Sequence, residues 1–429
     1  MRYFPINNEL FSKNRKKLAA QLKPRSMAIF HSNDIMPTSA DGTMPFRQAT
    51  DIFYLSGIDQ EESILLLFPE HPDPKYREVL FLRETSELIA IWEGHKYTKE
   101  EATQTSGIKT VLWLQEFEPL LNSLMTEAER VYLNSNEHLR NSSLTQTREM
   151  RFTKWCQERY PLHKWERAAP LMHQLRAVKE EAEIELLQTA CDITEKGFRR
   201  VLKFVKPGVM EYEVEAEYIH EFLRNRSNGF GYTPIIASGA NANVLHYIEN
   251  SQECRAGELL LMDVGASYAN YNADMTRTIP VSGRFTDRQR QVYNAVLHVK
   301  REAMKLLRPG NSIPEYHKQV GEIMTEQLLK LGLLSREEVQ NQAEDKPAYK
   351  KYFMHGTSHH LGLDVHDYGR VWRKFEPGMV FTVEPGIYIP AEGIGIRLEN
   401  DVVIREEGVF DLMRNIPIEA DEIEELMNA

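Results

Sequence analysis

The sequence predicts an α/β N-terminal domain followed by an α+β domain, and three observations lead there. Short apolar runs of strand length recur through about residue 170, with charged stretches between them. Beyond that point a helix, a Pro-Gly stop and a further helix occur twice, about a hundred residues apart. Apolar segments between and after those helices are interrupted or ended by carboxylates.

The whole-chain numbers are compatible with this plan. At roughly 150 residues per domain, 429 residues make two or three domains with ample material for a core. Hydrophobic residues at 42% and charged residues at 27% match ordinary globular usage and exclude a disordered or fibrous chain. A net charge of -11 argues against nucleic acid or an anionic membrane surface as partner. Cys156, Cys191 and Cys254 are widely separated, so neither a disulfide framework nor a thiolate zinc site is expected, and reduced thiols suit the cytoplasm. The first nine residues lack the apolar run of a secretory signal, and no apolar stretch approaches the ~18 residues of a spanning helix.

In the first half the runs at 27–30, 64–68, 79–82, 111–114 and 131–133 have strand length and β-branched content. Charged segments at 14–22 and 99–103 suit helices between them, which completes the α/β pattern. The character changes near Pro170, and the domains are expected to span 1–172 and 173–429.

Over 179–205, Ile184, Leu187, Cys191, Phe198, Leu202 and Val205 fall mostly three or four apart, which predicts an amphipathic helix stopped by Pro207-Gly208. A second helix is expected from Thr286, an N-cap before Asp287, to Leu307, stopped by Pro309-Gly310. Each stop is followed by a Glu-Tyr pair, Glu211-Tyr212 and Glu315-Tyr316, opening another helix of about twenty residues. The period is too long for a solenoid and implies two related halves within one domain.

Strands are expected at 259–264, 271–279, 380–383, 394–398 and 401–404, and the charges on them are the chemical signal. Asp263 and Asp274 interrupt apolar strands of an expected hairpin, and a buried carboxylate must be paired or neutralised. Glu384 ends a Val/Phe/Thr strand, while Arg397 and Glu399, two apart, share the strand face opposite Ile396 and Leu398. Taken singly, each fits a salt bridge or a cap. Residues 355–366 hold four of the fourteen histidines; His355 and His359 are four apart, but without the Glu of a zinc helix and with Gly356 between them. Four carboxylates and one imidazole would balance two divalent cations. Ligation dominated by oxygen suits manganese, cobalt or iron, with zinc also admissible. Two such ions would lower the pKa of a bridging water and polarise a carbonyl.

The order of these segments resembles the pita-bread metallopeptidases, of creatinase and methionine aminopeptidase type, and within them the aminopeptidase P (Xaa-Pro aminopeptidase) family. The matching runs are Pro234 to Asn241 with Leu245-His246-Tyr247, then Met262-Asp263-Val264-Gly265 and Ala273 to Thr278. His355 to His359, Glu384 to Tyr388 and Ile396 to Asn400 follow, and Phe46 to Gly57 is similar to the family's N-terminal signature. The resemblance implies a pita-bread catalytic domain with two divalent ions, manganese first. It implies that Asp263 chelates one ion, Asp274 and Glu399 bridge both, and His359 with Glu384 completes the other's shell. It further implies that Glu384 shuttles a proton, that His246, His355 and His366 donate hydrogen bonds to the reacting carbonyl, and that Arg397 orients Glu399 or meets the substrate. Tyr388 falls at the family's tyrosine position, and Trp92 where a neighbouring subunit's site would receive it. The implied reaction is hydrolysis of the N-terminal Xaa-Pro bond of peptides by a homodimer or homotetramer. A dipeptide-restricted prolidase is the nearest rival, and a non-catalytic pita-bread binding module is the rival of another class. The complete set of five ligands argues against the module.

Overall fold

A computed structural model of the chain describes residues 2–429. The chain divides into two compact units, residues 3–175 and a second comprising residues 176–429 with Arg2.

The first unit is built on a six-stranded mixed sheet in the order Thr110–Trp113, Glu78–Leu82, Ile64–Leu67, Ser26–His31, Arg130–Leu133, Lys164–Arg167. Ile64–Leu67 runs antiparallel to both neighbours, and the other pairings are parallel. The central strands are buried on both faces, and Met27, Ile29, Leu66, Phe81, Phe117 and Leu121 belong to one core cluster. The five expected strands form, whereas the first helix runs over Glu9–Ala19 and stops short of Leu22. Pro24 lies just beyond, and the residue before a proline is pushed out of the helical region. Lys164–Arg167 gives no signal in sequence because it is a short charged strand at the sheet edge, with no fully buried residue.

In the second unit the repeated plan is present in the backbone. Helices Glu181–Phe204 and Glu211–Arg224 flank the first Pro-Gly stop, and Asp287–Leu306 and Ile313–Lys330 flank the second. Gly208 and Gly310 adopt φ of +95° and +87°, left-handed values that glycine takes without strain. Thr286 caps its helix by accepting from the Gln289 amide in a capping box.

The strands carrying the carboxylates assemble into small antiparallel sheets. Ile235–Ser238, Leu259–Val264 and Met275–Pro280 form one, and Val380–Val383, Asn400–Arg405 and Gly408–Asp411 another. Gly386–Ile389 and Ile394–Arg397 make a two-stranded pair. The strand expected over 271–279 is in fact two, Tyr271–Asn272 and Met275–Pro280, and they pair with different partners. Asp274 lies just outside the second strand, its amide donating to Asp401 Oδ2 at 2.9 Å instead of to a ladder. The chain passes so close at Gly265 that a Cβ there would lie 1.7 Å from the Ala273 carbonyl oxygen, so only glycine fits. Among the described residues no helix is long and apolar enough to cross a membrane.

Candidate metal centre

Strand alternation explains how Asp263 reaches the site. Along Leu259–Val264, Leu261 and Asp263 face one way, and their register partners Thr278 and Thr276 extend that face. Asp274 enters from the residue before strand Met275–Pro280. Glu384 follows strand Val380–Val383 directly, where Pro385 removes a ladder donor, and its amide donates instead to the Thr357 carbonyl at 2.8 Å. Glu399 occupies the break between strands Ile394–Arg397 and Asn400–Arg405. His359 arrives on a loop fixed by hydrogen bonds in both directions with Thr382.

These five side chains converge. The Tyr232 hydroxyl sits between Asp263 Oδ1 at 2.5 Å and Asp274 Oδ1 at 2.6 Å. His359 Nε2 lies 3.5 Å from Asp274 Oδ2 and 3.6 Å from Glu384 Oε1. Thr276 Oγ1 donates to Glu399 Oε2 at 2.6 Å. Arg397, only 4% exposed, donates to Asp263 Oδ2 at 2.6 Å, to the Tyr388 hydroxyl at 2.9 Å and to Thr276 Oγ1 at 3.1 Å.

The electrostatics are those of negative charge gathered away from water. Burial, opposed by Arg397 and reinforced by Asp274, raises the pKa of Asp263. Burial, partly offset by His359 and reinforced by Asp274, pushes Glu384 up to about 7. Burial and then the charges of Asp274, Glu384 and Asp263 hold Glu399 well above the usual carboxylate range. Arg397 offsets one of the four negative charges, and the others call for further positive charge.

The donor set fits a divalent metal. Asp274, His359 and Glu399 offer ligand atoms within 4.8 Å of one another, close to the span of donors round one ion with bonds of about 2.0–2.2 Å. His359 Nδ1 lies 3.0 Å from the His360 carbonyl oxygen, the arrangement that fixes a ligating imidazole's tautomer and presents Nε2 to the cluster. Hard oxygen donors with one nitrogen suit a first-row divalent ion.

The remaining predicted residues surround this centre unevenly. His355 Nδ1 lies 2.7 Å from the Gly356 carbonyl and 3.7 Å from Glu384 Oε2, and Nε2 lies 2.8 Å from the Tyr388 hydroxyl. Burial and then the charge of Arg397 press its pKa down to about 3, so the ring is neutral and Nε2 accepts from Tyr388. Burial pushes the Tyr388 phenol up to about 12. The His366 ring meets the His359 ring edge to face at 4.5 Å, on an exposed residue. His246 is exposed at a turn, and its charge is among the influences that lower the pKa of His355. Trp92, in the first unit, is 80% exposed on the short helix Glu87–Glu93. Sequence reasoning missed Tyr232 and Thr276: a lone Tyr in a loop and a Thr in a strand carry no signal until their carboxylate partners are placed.

Comparison with known proteins identifies the family. Residues 185–406 match metallopeptidase family M24, and residues 11–132 match the aminopeptidase P N-terminal domain. The chain is 35% identical over 440 aligned residues to the Xaa-Pro aminopeptidase of Escherichia coli, covering 99% of this chain and 98% of that one. The chain belongs to the aminopeptidase P family of M24 metallopeptidases. The Xaa-Pro aminopeptidase of Haemophilus influenzae is 34% identical over 99% of this chain and 98% of its own. E. coli aminopeptidase P in its low-pH form superposes with a TM-score of 0.89 at 35% identity, with 99% of each chain covered. Proline aminopeptidase P II from Yersinia pestis does so with 0.88 at 34% identity, over 99% of this chain and 100% of that one. As a member of this family the chain is a metal-dependent aminopeptidase, and its second unit has the pita-bread fold.

Proposed function

We propose that this aminopeptidase hydrolyses the bond between an N-terminal residue and a following proline, using two divalent ions with manganese preferred. The observation that carries the reading is the cluster of four carboxylates with His359 Nε2, Asp274 and Glu399 buried and Asp263 and Glu384 partly so, in which Arg397 pairs with Asp263. Asp263 would hold one ion, Asp274 and Glu399 would be shared by both, and His359 with Glu384 would hold the other. When bound, the ions supply an acidified water and a Lewis acid for the carbonyl.

The chain's own residues do the rest. Glu384 takes up a proton on the side of the attacking water and hands it to the proline nitrogen, which has no hydrogen in an Xaa-Pro amide and must gain one to leave. His355, neutral and packed against Glu384, keeps a positive charge out of that transfer. His246 and His366, on solvent-facing loops, donate to the carbonyl oxygen as negative charge develops on it. Arg397 and Tyr388 form one hydrogen-bonded unit that holds Asp263 and His355 in register.

Relatives named as Xaa-Pro aminopeptidases, and an E. coli aminopeptidase P structure holding the inhibitor Pro-Leu, support the proline-directed reading. A zinc-substituted E. coli structure with product supports a divalent centre that accepts more than one metal. The exposed stripe of Leu88, Ile91 and Trp92 in the first unit favours a homodimer or homotetramer, Trp92 serving a neighbouring subunit's site. Three buried free thiols are consistent with a cytoplasmic setting. A peptide series tests the specificity: release of the N-terminal residue from Xaa-Pro-Xaa and longer peptides is expected. Turnover restricted to Xaa-Pro dipeptides would overturn it.

A further inference from the structure

Glu211 lies outside the metal centre, yet its carboxylate is the hub of an unusually dense set of hydrogen bonds. It is fully buried at the first position of helix Glu211–Arg224. Its Oε1 accepts from the Ser238 amide at 2.7 Å, the Ser238 hydroxyl at 2.7 Å and Asn241 Nδ2 at 3.3 Å. Its Oε2 accepts from the Tyr247 hydroxyl at 2.8 Å and the Gln252 amide at 2.9 Å. One carboxylate therefore ties both ends, 238 and 252, and two interior points, 241 and 247, of a single loop.

That loop carries His246. Its inner side is apolar and seated: Ala242 and Tyr247 are buried in a cluster with Ile235, Leu261 and Tyr388, and Leu245 packs on it. Tyr388 is the residue hydrogen-bonded to His355 and Arg397, so the loop rests on the wall of the metal centre. The approach is close enough that a Cβ at Gly395 would lie 2.3 Å from the Ala242 carbonyl oxygen. Val244, His246 and Ile248 are left on the outer side.

We infer that Glu211 is a positioning residue for the aminopeptidase reaction: it clamps the 238–252 loop so that His246 is presented to substrate in one place. The inference rests on the proposed role of His246. A glutamine in its place is nearly isosteric but cannot accept on its nitrogen side. Whichever way its amide turns, either the buried Ser238 amide or the Gln252 amide loses its acceptor.

The test is a double-mutant cycle on the metal-loaded enzyme with an Xaa-Pro-Xaa peptide, joined to hydrogen exchange. Glu211→Gln is expected to lower kcat/KM about 10-fold, the scale of one lost buried hydrogen bond, with bound metal unchanged. In a His246→Ala background the same change is expected to cost less than about twofold, because a unit already broken loses little more. Amide exchange at 238–252 should quicken in Glu211→Gln while the strand 259–264 stays protected. Glu211→Asp, which keeps both oxygens, should recover part of the loss. Equal losses from Glu211→Gln in both backgrounds, or unchanged exchange in the loop, would overturn the inference. Full activity of His246→Ala would overturn it too, while leaving the proline-directed reading, measured on the unmodified chain, intact.

Discussion

The two halves of the catalytic unit share a helix, stop, helix plan but deliver side chains to the metal centre by different means. The first half places Asp263 inside a strand, paired in register with Ile235 on one side and Thr276 on the other, and Asp274 beside the next strand. The second half places Glu384 and Glu399 in breaks where ladder bonding stops, and His359 on a loop. Asp263 of the first half is held by its own sheet. In the second, Glu384 and His359 are held by Thr357 and Thr382 of their own half, while Glu399 borrows support: it donates its amide to the Thr276 carbonyl, and Arg277 Nη1 donates to the Glu399 carbonyl at 2.6 Å. Support also returns, through Arg397 to Asp263 and Asp401 to the Asp274 amide. The comparison teaches that the centre is a joint between halves, complete only when both are folded against each other.

Removing a shared ligand should break that joint most severely. Asp274→Ala and Glu399→Ala are each expected to reduce peptide turnover by well over about 100-fold, beyond what loss of an outer hydrogen-bond partner costs, with metal lost in elemental analysis. Equal metal content and turnover in the unmodified chain and in Asp274→Ala would separate Asp274 from the centre.

Arg397 is the cation that crosses from the second half to the first. Arg397→Ala leaves the partly buried Asp263 with the Tyr232 hydroxyl but no cation and is expected to destabilise the metal-free protein by about 2–3 kcal/mol in urea unfolding. Added metal should recover part of that loss, since it supplies the missing positive charge.

The carboxylate cluster contributes a pH-dependent share of the metal-free chain's stability. Glu384 is raised from 4.5 to about 7, and Asp263 and Glu399 are raised as well, so between about 4.5 and 7 these three groups hold more protons folded than unfolded, opposed by His355, which is lowered to about 3. The cluster's contribution to stability is therefore expected to fall as pH rises through that window, so Glu384→Gln, which does not titrate, should raise the urea midpoint at pH 8 relative to that at pH 5 when compared with the unmodified chain. Saturating metal should flatten or reverse the slope, because it competes with those protons.

The smallest effect separates the two Glu-Tyr pairs. In the first half Glu211 is buried and Tyr212 is 55% exposed, whereas in the second Tyr316 is buried and accepts from the Ser358 hydroxyl at 2.9 Å, beside His359. Tyr316→Phe should cost about 1 kcal/mol, one net hydrogen bond, and Tyr212→Phe nothing measurable in the same unfolding experiment.

This inversion also marks how much can be read from sequence. Pro-Gly stops and capping signals are local, so the repeated helices and the Thr286 cap were legible. The ligands were legible because a carboxylate in an apolar strand violates its surroundings and demands a partner. The break at Asp274 was hidden, since Tyr271 to Ile279 alternates like one strand and long-range contacts divert it, from the Asn272 amide to the Gly362 carbonyl and from the Asp274 amide to Asp401, 127 positions away. Tyr232 and Glu211 were hidden for the same reason: their importance lies in long-range partners, while their local context is that of an ordinary loop aromatic and an ordinary first-turn acid. Trp92 could be named but not assigned, because its exposure in the first unit says only that something can cover it.

The most direct test of the central claim is to titrate metal-stripped enzyme with manganese while following hydrolysis of an Xaa-Pro-Xaa peptide and the amount of metal bound. Release of the N-terminal residue should be absent without metal and reach its plateau as binding approaches two ions per chain. Turnover that persists without any bound metal, or a plateau reached at one ion per chain with no second site filled, would contradict the two-metal account.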